Sequence, residues 1–129
     1  MSGNLKIAQF SGGVLPYTIV SDSSITNDPI IDVTGSAGTV YDINLDLSSG
    51  INHNYYLKLW LQTASVTLGT TPPDIIIEAD QDQIVRVNFP GGLYFSALSA
   101  ALVDSNADNS VAMTTTNNSG TVKLTLTVS

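Results

Sequence analysis

Tyr55-Tyr56-Leu57-Lys58-Leu59-Trp60-Leu61 leads through Gly69-Thr70-Thr71-Pro72-Pro73 to Ile75-Ile76-Ile77, and then to Val87-Asn88-Phe89-Pro90-Gly91-Gly92-Leu93-Tyr94-Phe95-Ser96. Side chains on a strand alternate between two faces, so Tyr55, Leu57, Leu59 and Leu61 point one way and Tyr56, Lys58, Trp60 and Gln62 the other. The first set is apolar throughout and predicts a strand lying on a core. Gly, Thr and Pro after it supply the φ values of a turn, and a short apolar run bounded by such a turn reads as the next strand.

The same period of two recurs on either side. Tyr41, Ile43, Leu45 and Leu47 oppose Asp42, Asn44 and Asp46; Val85, Val87 and Phe89 oppose Ile84, Arg86 and Asn88; Val122, Leu124, Leu126 and Val128 oppose Lys123, Thr125 and Thr127. Further strands are expected at 74–79, 93–102 and 110–116. Ala-rich Phe95 to Val103 is compatible with a helix, but Ser96 and Ser99 interrupt it and the glycines ahead favour a strand. About seven short strands, with turn residues roughly every ten positions, predict a single antiparallel β-sandwich, jelly-roll-like in form. Its expected core is Tyr55, Leu57, Leu59, Leu61, Val85, Val87, Phe89, Leu124 and Leu126.

Composition supports an all-β chain. Of eleven acids ten are Asp and only Glu78 is Glu, and Lys is scarce; Asp, Ser, Thr, Asn and Gly suit strands and turns, whereas exposed helices favour Glu, Lys, Gln and Ala. At 129 residues the chain is one domain by length, enough to bury roughly two-thirds of its unfolded surface. It has no cysteine and a formal charge of −7, which excludes thiol chemistry and disulfide staples and repels nucleic-acid phosphate and anionic lipid. Met1-Ser2-Gly3-Asn4 opens without a basic region or apolar core, so no secretory signal and no membrane span are expected.

The first 36 residues have a different texture. Their apolar pieces, Leu5-Ile7 and Val14 to Val20 with Tyr17 inside, are broken by Gly12-Gly13, Pro16 and Pro29, and a proline within a run demotes it to an edge strand or extended arm. Residues 1–36 are therefore read as an N-terminal arm or added edge strands, and 37–129 as the sandwich core. Leu5, Ile7 and Tyr17 become candidate contact residues.

The order of parts from Tyr55 onward resembles a small β-sandwich module of tailed-bacteriophage structural proteins. The shared elements are the Tyr/Leu/Lys strand, the Gly69-Thr70-x-x-Pro73 turn, the apolar strand after it, and the Phe89-Pro90-x-Gly92-Leu93-x-Phe95-Ser96 corner. The resemblance continues through Leu98-Ser99-Ala100-Ala101-Leu102-Val103 and Asp104-Ser105-Asn106-Ala107-Asp108, covering roughly the last two-thirds of the chain. It implies a virion protein of the capsid cement or decoration kind. Such a protein sits on the outside of the head, binds the major capsid protein, and works by binding alone, in many symmetry-related copies. The alternative is a tail-associated host-recognition module presenting Trp60 or Tyr94 to glycans.

Catalytic and metal chemistry find little support in the residues. His53 lies between Asn52 and Asn54 with no adjacent nucleophile or carboxylate, and reads as a turn histidine. Asp104 to Asn109 begins like a calcium loop, but Asn109 stands where glycine is needed and Thr115 where a bidentate Glu belongs. A weaker calcium site would need Asp104, Asp108 and a neighbouring turn such as Asp80-Gln81-Asp82. Gly91-Gly92 lacks the lysine and helix of a phosphate cradle, and no carboxylate pair is spaced for glycoside hydrolysis. The expectation is no enzyme, no metal and no cofactor. Attention falls instead on Tyr56, Lys58 and Trp60, which share the face opposite the core. Either another strand or the arm covers that face, or it is an aromatic patch that a second copy (in a dimer or trimer) or another partner buries.

Overall fold

The computed structural model of the chain describes residues 5–9 and 17–129. Among these residues the strands are β1 Leu5–Gln9, β2 Thr18–Asp22, β3 Gly38–Asp46, β4 Tyr55–Trp60, β5 Ile75–Ala79, β6 Ile84–Phe95, β7 Ser99–Val103 and β8 Lys123–Val128, with no helix. They form two antiparallel sheets, ordered β1-β2-β8-β3-β6 and β5-β4-β7. This is the all-β sandwich that alternation predicts.

The inward sets meet between the sheets. Ile43, Leu45, Leu124, Leu126 and Val128 from the large sheet pack with Tyr55, Leu57, Leu59, Ala100 and Leu102 from the small one, all buried. Each large side chain so placed contributes about 1.5–3 kcal/mol. Val85, Val87 and Phe89 reach the same core but stay half-exposed, because β6 is an edge strand.

Residues 26–33 run beside β7 without becoming a regular strand. The main chains of Ile30 and Ala100 exchange two hydrogen bonds at 2.9 Å, the Leu102 amide donates to the Thr26 carbonyl at 3.0 Å, and the Val33 amide donates to the Leu98 carbonyl at 2.8 Å. With that segment included, the pairings nest: β2 with β8, 26–33 with β7, β3 with β6, and β4 with β5. From β2 to β8 the chain is one long hairpin folded across both sheets.

Within 1–36, the described part lies on the sandwich: β1 is the outer strand of the large sheet, β2 pairs between β1 and β8, and Val20, Ile25, Ile30 and Val33 are buried in the common core. Gly12, Gly13 and Pro16 lie outside the described residues.

Three other expectations change. Residues 110–116 form no strand: the Asp104 amide donates to the Ala112 carbonyl, the Asn27 side chain to the Val111 carbonyl, and Thr114 N–H to Asp104 Oδ2, so their polar groups go to turns and side chains. Residues 93–102 divide, with Leu93–Phe95 ending β6 and a bend at 96–98 crossing to the other sheet. The Pro90-Gly91-Gly92 corner lies inside β6 as a bulge, where residues 89–92 stand opposite the single residue Tyr41. Gly91 and Gly92 have φ of 82° and 84°, the left-handed region that glycine enters without steric cost.

Candidate functional site

On the small sheet, β4 directs Tyr56, Lys58 and Trp60 away from the core, as alternation requires. Among the described residues, that face is covered by loop segments of the chain, with Ile31 from the N-terminal 36 residues beside them. Trp60 is 1% exposed and forms a second apolar cluster with Val66 and Ala101, flanked by Ile31 and Leu68. Its indole N–H donates to the Thr71 carbonyl at 3.0 Å. Trp60 is therefore buried within the chain and is not displayed on an open aromatic patch, the covered alternative for this face.

Lys58 is 0% exposed. An unpaired ammonium there would be prohibitive, so it is paired: Nζ donates to the carbonyls of Asp108 at 2.9 Å and Ser110 at 3.0 Å. Burial lowers its pKa, and the Asp108 charge opposes that shift. Tyr55, on the core side of β4, donates its hydroxyl to the Thr114 carbonyl and accepts from the Asn118 side chain at 2.9 Å; burial raises its pKa against that hydrogen bond, with the Asp104 charge adding to the rise. His53 donates Nε2–H to the Thr116 carbonyl at 2.7 Å, since a carbonyl can only accept. These anchors hold the long 104–122 connection, and a Cβ on Gly69 would lie 2.6 Å from Val111 Cγ1, so both covering loops meet there.

The acidic loop is committed to the same job. Asp104 Oδ2 accepts from both the amide and the hydroxyl of Thr114 at 2.7 Å. Among the described residues no group of three His, Cys, Asp or Glu side chains is placed to hold a metal ion.

Tyr94 has the opposite fate. It stands 68% exposed on the outer face of the large sheet, opposite Thr39. On the same sheet Tyr17 meets Tyr41 edge to face, with ring centroids 5.2 Å apart. Gly92 is packed over by Thr39 and Tyr41, since a Cβ there would lie 2.1 Å from Thr39 Cγ2 and 2.9 Å from Tyr41 Cε1. Alternation placed Tyr41 with the core set; as the extra residue between the β8 partners of Val40 and Asp42, it sits in a bulge and turns outward.

Leu5 packs against the core edge and Ile7 is 53% exposed on β1. A second apolar strip lies on the opposite flank. Residues 80–83 join β5 and β6, the free edges of the two sheets, so both edges lie on one side of the sandwich. There Ile75, Ile77, Val85, Val87 and Phe89 are half-buried and Ile84 is 57% exposed. Asp74, Glu78, Asp80 and Asp82 are exposed around them.

No protein-family model, curated protein or solved structure matches this chain. No helix among the described residues is long and apolar enough to cross a membrane.

Proposed function

We propose that this protein is a structural component of a tailed-phage virion, a cement or decoration protein that binds the major capsid protein on the outside of the head, without catalysis or cofactor. The resemblance from Tyr55 to Asp108 motivates the reading. The nested pairing also fits a jelly roll, in which a rolled hairpin alternates between two sheets.

The observation that best supports a binding role is the open β5–β6 flank. Two strand edges that are unpaired among the described residues lie together there with a strip of half-exposed apolar side chains, which suits strand addition by a partner. Its rim of Asp74, Glu78, Asp80 and Asp82 favours a partner with basic residues. It disfavours a two-fold contact of this flank with itself, which would set acid against acid. Dimerisation or trimerisation, if it accompanies attachment, would use another surface.

The test is to mix the protein with undecorated heads of the virus that encodes it and measure attachment. Ile84→Glu and Val87→Thr should each weaken attachment by about tenfold or more, a loss of about 1.4 kcal/mol per site that many copies amplify. Wild-type protein that leaves heads bare, or variants that attach at full affinity, would overturn the reading.

A further inference from the structure

The two edges of the large sheet differ in what surrounds them. At the β6 edge the half-exposed apolar side chains are ringed by Asp74, Glu78, Asp80 and Asp82. At the other edge, among the described residues, β1 pairs with β2 alone, so one row of its main-chain groups has no strand beside it. Such a row is a template for a further strand.

Ile7 shows how far the core extends at that end. It stands opposite Val20, and directly opposed residues of an antiparallel pair share a face, so it points to the core side of the sheet. There Val20 is 1% exposed and Ile7 is 53% exposed. Cover from the small sheet therefore stops near β2, and β1 overhangs it with an apolar side chain on the inner face. Two such overhangs can meet edge to edge while the small sheets stay apart.

The strand is also complementary to itself. A two-fold axis perpendicular to the sheet keeps every side chain on its own face, so it must pass through a residue and pair the positions on either side of it. Through Ile7, the middle of Leu5–Gln9, it sets Ile7 opposite Ile7, Lys6 opposite Ala8 and Leu5 opposite Gln9, which uses all five residues. Apolar meets apolar on the inner face, and the one charge of the strand never opposes itself. Centred on Lys6, the axis would pair three residues and set two ammonium groups directly opposite, which is destabilising. Long-range charge favours the same edge. The chain carries −7, and the acids of the β5–β6 flank lie across four strand spacings, about 19 Å, more than two Debye lengths in physiological salt. On the β1 side the exposed Lys6 and Lys123 line one hollow with the buried Asp22, so two copies meet there without setting acid against acid.

We propose that the protein forms a two-fold dimer through β1, with Ile7 packed on Ile7 of a second copy and the two five-stranded sheets joined edge to edge. Both β5–β6 flanks stay outermost and open, so the dimer does not depend on the capsid reading and is compatible with it. A five-residue strand pair falls well short of the roughly 1,000 Å² of a stable interface, so the equilibrium is weak.

Sedimentation of the full chain from about 10 µM to about 1 mM should show a monomer–dimer equilibrium with a dissociation constant of about 100 µM. Ile7→Lys, which puts two ammonium groups directly opposite, should raise that constant about tenfold or more, while Ile84→Lys on the far flank should sediment as wild type. Because the chain has no cysteine, the register can be read covalently. With oxidised glutathione, Ile7→Cys should give a disulfide-linked dimer, since directly opposed Cβ atoms lie about 4.5–5.5 Å apart. Lys6→Cys should not, because its two copies would stand on a diagonal of about 7–8 Å. The proposal is wrong if the wild-type chain stays monomeric throughout, if folded Ile7→Lys dimerises unchanged, or if Lys6→Cys cross-links as fast as Ile7→Cys. Should circular dichroism show Ile7→Lys unfolded, sedimentation of the wild type and the two cysteine variants decide the matter.

Discussion

The outer faces of the two sheets carry the same kind of sequence and meet different fates. On the small sheet, Tyr56, Lys58 and Trp60 alternate with a core set, and loops 63–71 and 104–113 close over Lys58 and Trp60. On the large sheet, Lys123, Thr125 and Thr127 alternate with a core set in the same way, and the face stays open, with Tyr94 68% exposed on it. Alternation identifies the face turned from the core, but it is silent on whether another segment covers that face. What separates the two is where the long connections fold: 61–74 turns back over β4, and 104–122, which joins β7 to β8, is drawn over the small sheet by Lys58.

The largest effect should come from opening the covered face. Trp60→Ala removes an indole that fills the space between β4, β7 and the 63–71 loop, and should cost about 3–5 kcal/mol. The check is denaturant unfolding followed by circular dichroism. A loss below about 1 kcal/mol, within the range of ordinary surface changes, would mean the covering loops contribute little and the two faces differ less than claimed.

Lys58→Met tests the polar half of the same cover. The methionine keeps the apolar stem but deprives the Asp108 and Ser110 carbonyls of their donor, a loss of about 1–3 kcal/mol for buried acceptors left unmet. Hydrogen exchange should quicken around 104–113 and remain unchanged along β3 and β8. Uniform quickening would show that Lys58 supports the whole sandwich and not the loop alone.

The buried groups of β4 and the open face of the large sheet should also titrate at opposite ends of the pH scale. Burial lowers the Lys58 pKa below 10.5, so its neutral form is favoured in the fold. Stability from this source is present above 10.5 and lost as pH falls through the folded value. Burial raises the Tyr55 pKa above 10.0, so its contribution is present below 10.0 and lost as pH rises through the folded value. On the open face, hydrogen bonds from the Ser48 hydroxyl and amide hold Asp46 below 3.8, with Lys123 assisting weakly against some burial. That contribution is present above 3.8 and lost as pH falls through the folded value. Lys58→Met and Tyr55→Phe should therefore reshape only the alkaline limb of a melting-temperature profile, and Asp46→Asn only the acid limb. Crossed effects would break the separation.

Much of the fold was legible from alternation, because period two follows from strand geometry wherever one face is buried. Tyr55, Leu57, Leu59, Leu124 and Leu126 fall inward as expected. The cover over Trp60 was not legible. Its hydrogen-bond acceptor lies 11 residues away in a Thr-rich turn, and the acceptors of Lys58 lie 50 and 52 residues away, contacts that no local pattern encodes. The place of segment 26–33 was not legible either, because Pro29 breaks its alternation and it joins the small sheet through main-chain groups, which carry no sequence signature. The outer-face tyrosines were half legible. Tyr94 could be singled out in the strand, but the bulge that turns Tyr41 outward depends on register, and register emerges only when β3, β6 and β8 are paired.

The smallest effect should be at Tyr94. A side chain 68% exposed has little burial to lose, and surface substitutions away from special features usually stay within about 0.5 kcal/mol. Tyr94→Ala should thus melt as wild type, whereas Tyr41→Ala, which breaks the edge-to-face contact with Tyr17, should cost about 0.5–1.5 kcal/mol beyond its lost burial. The gradient from Trp60 through Tyr41 to Tyr94 follows cover and not residue type, since all are aromatic residues facing away from the core. If Tyr94→Ala instead destabilised the fold as much as Trp60→Ala, the ring would be working inside the molecule, and the open face would prove to be a second covered one.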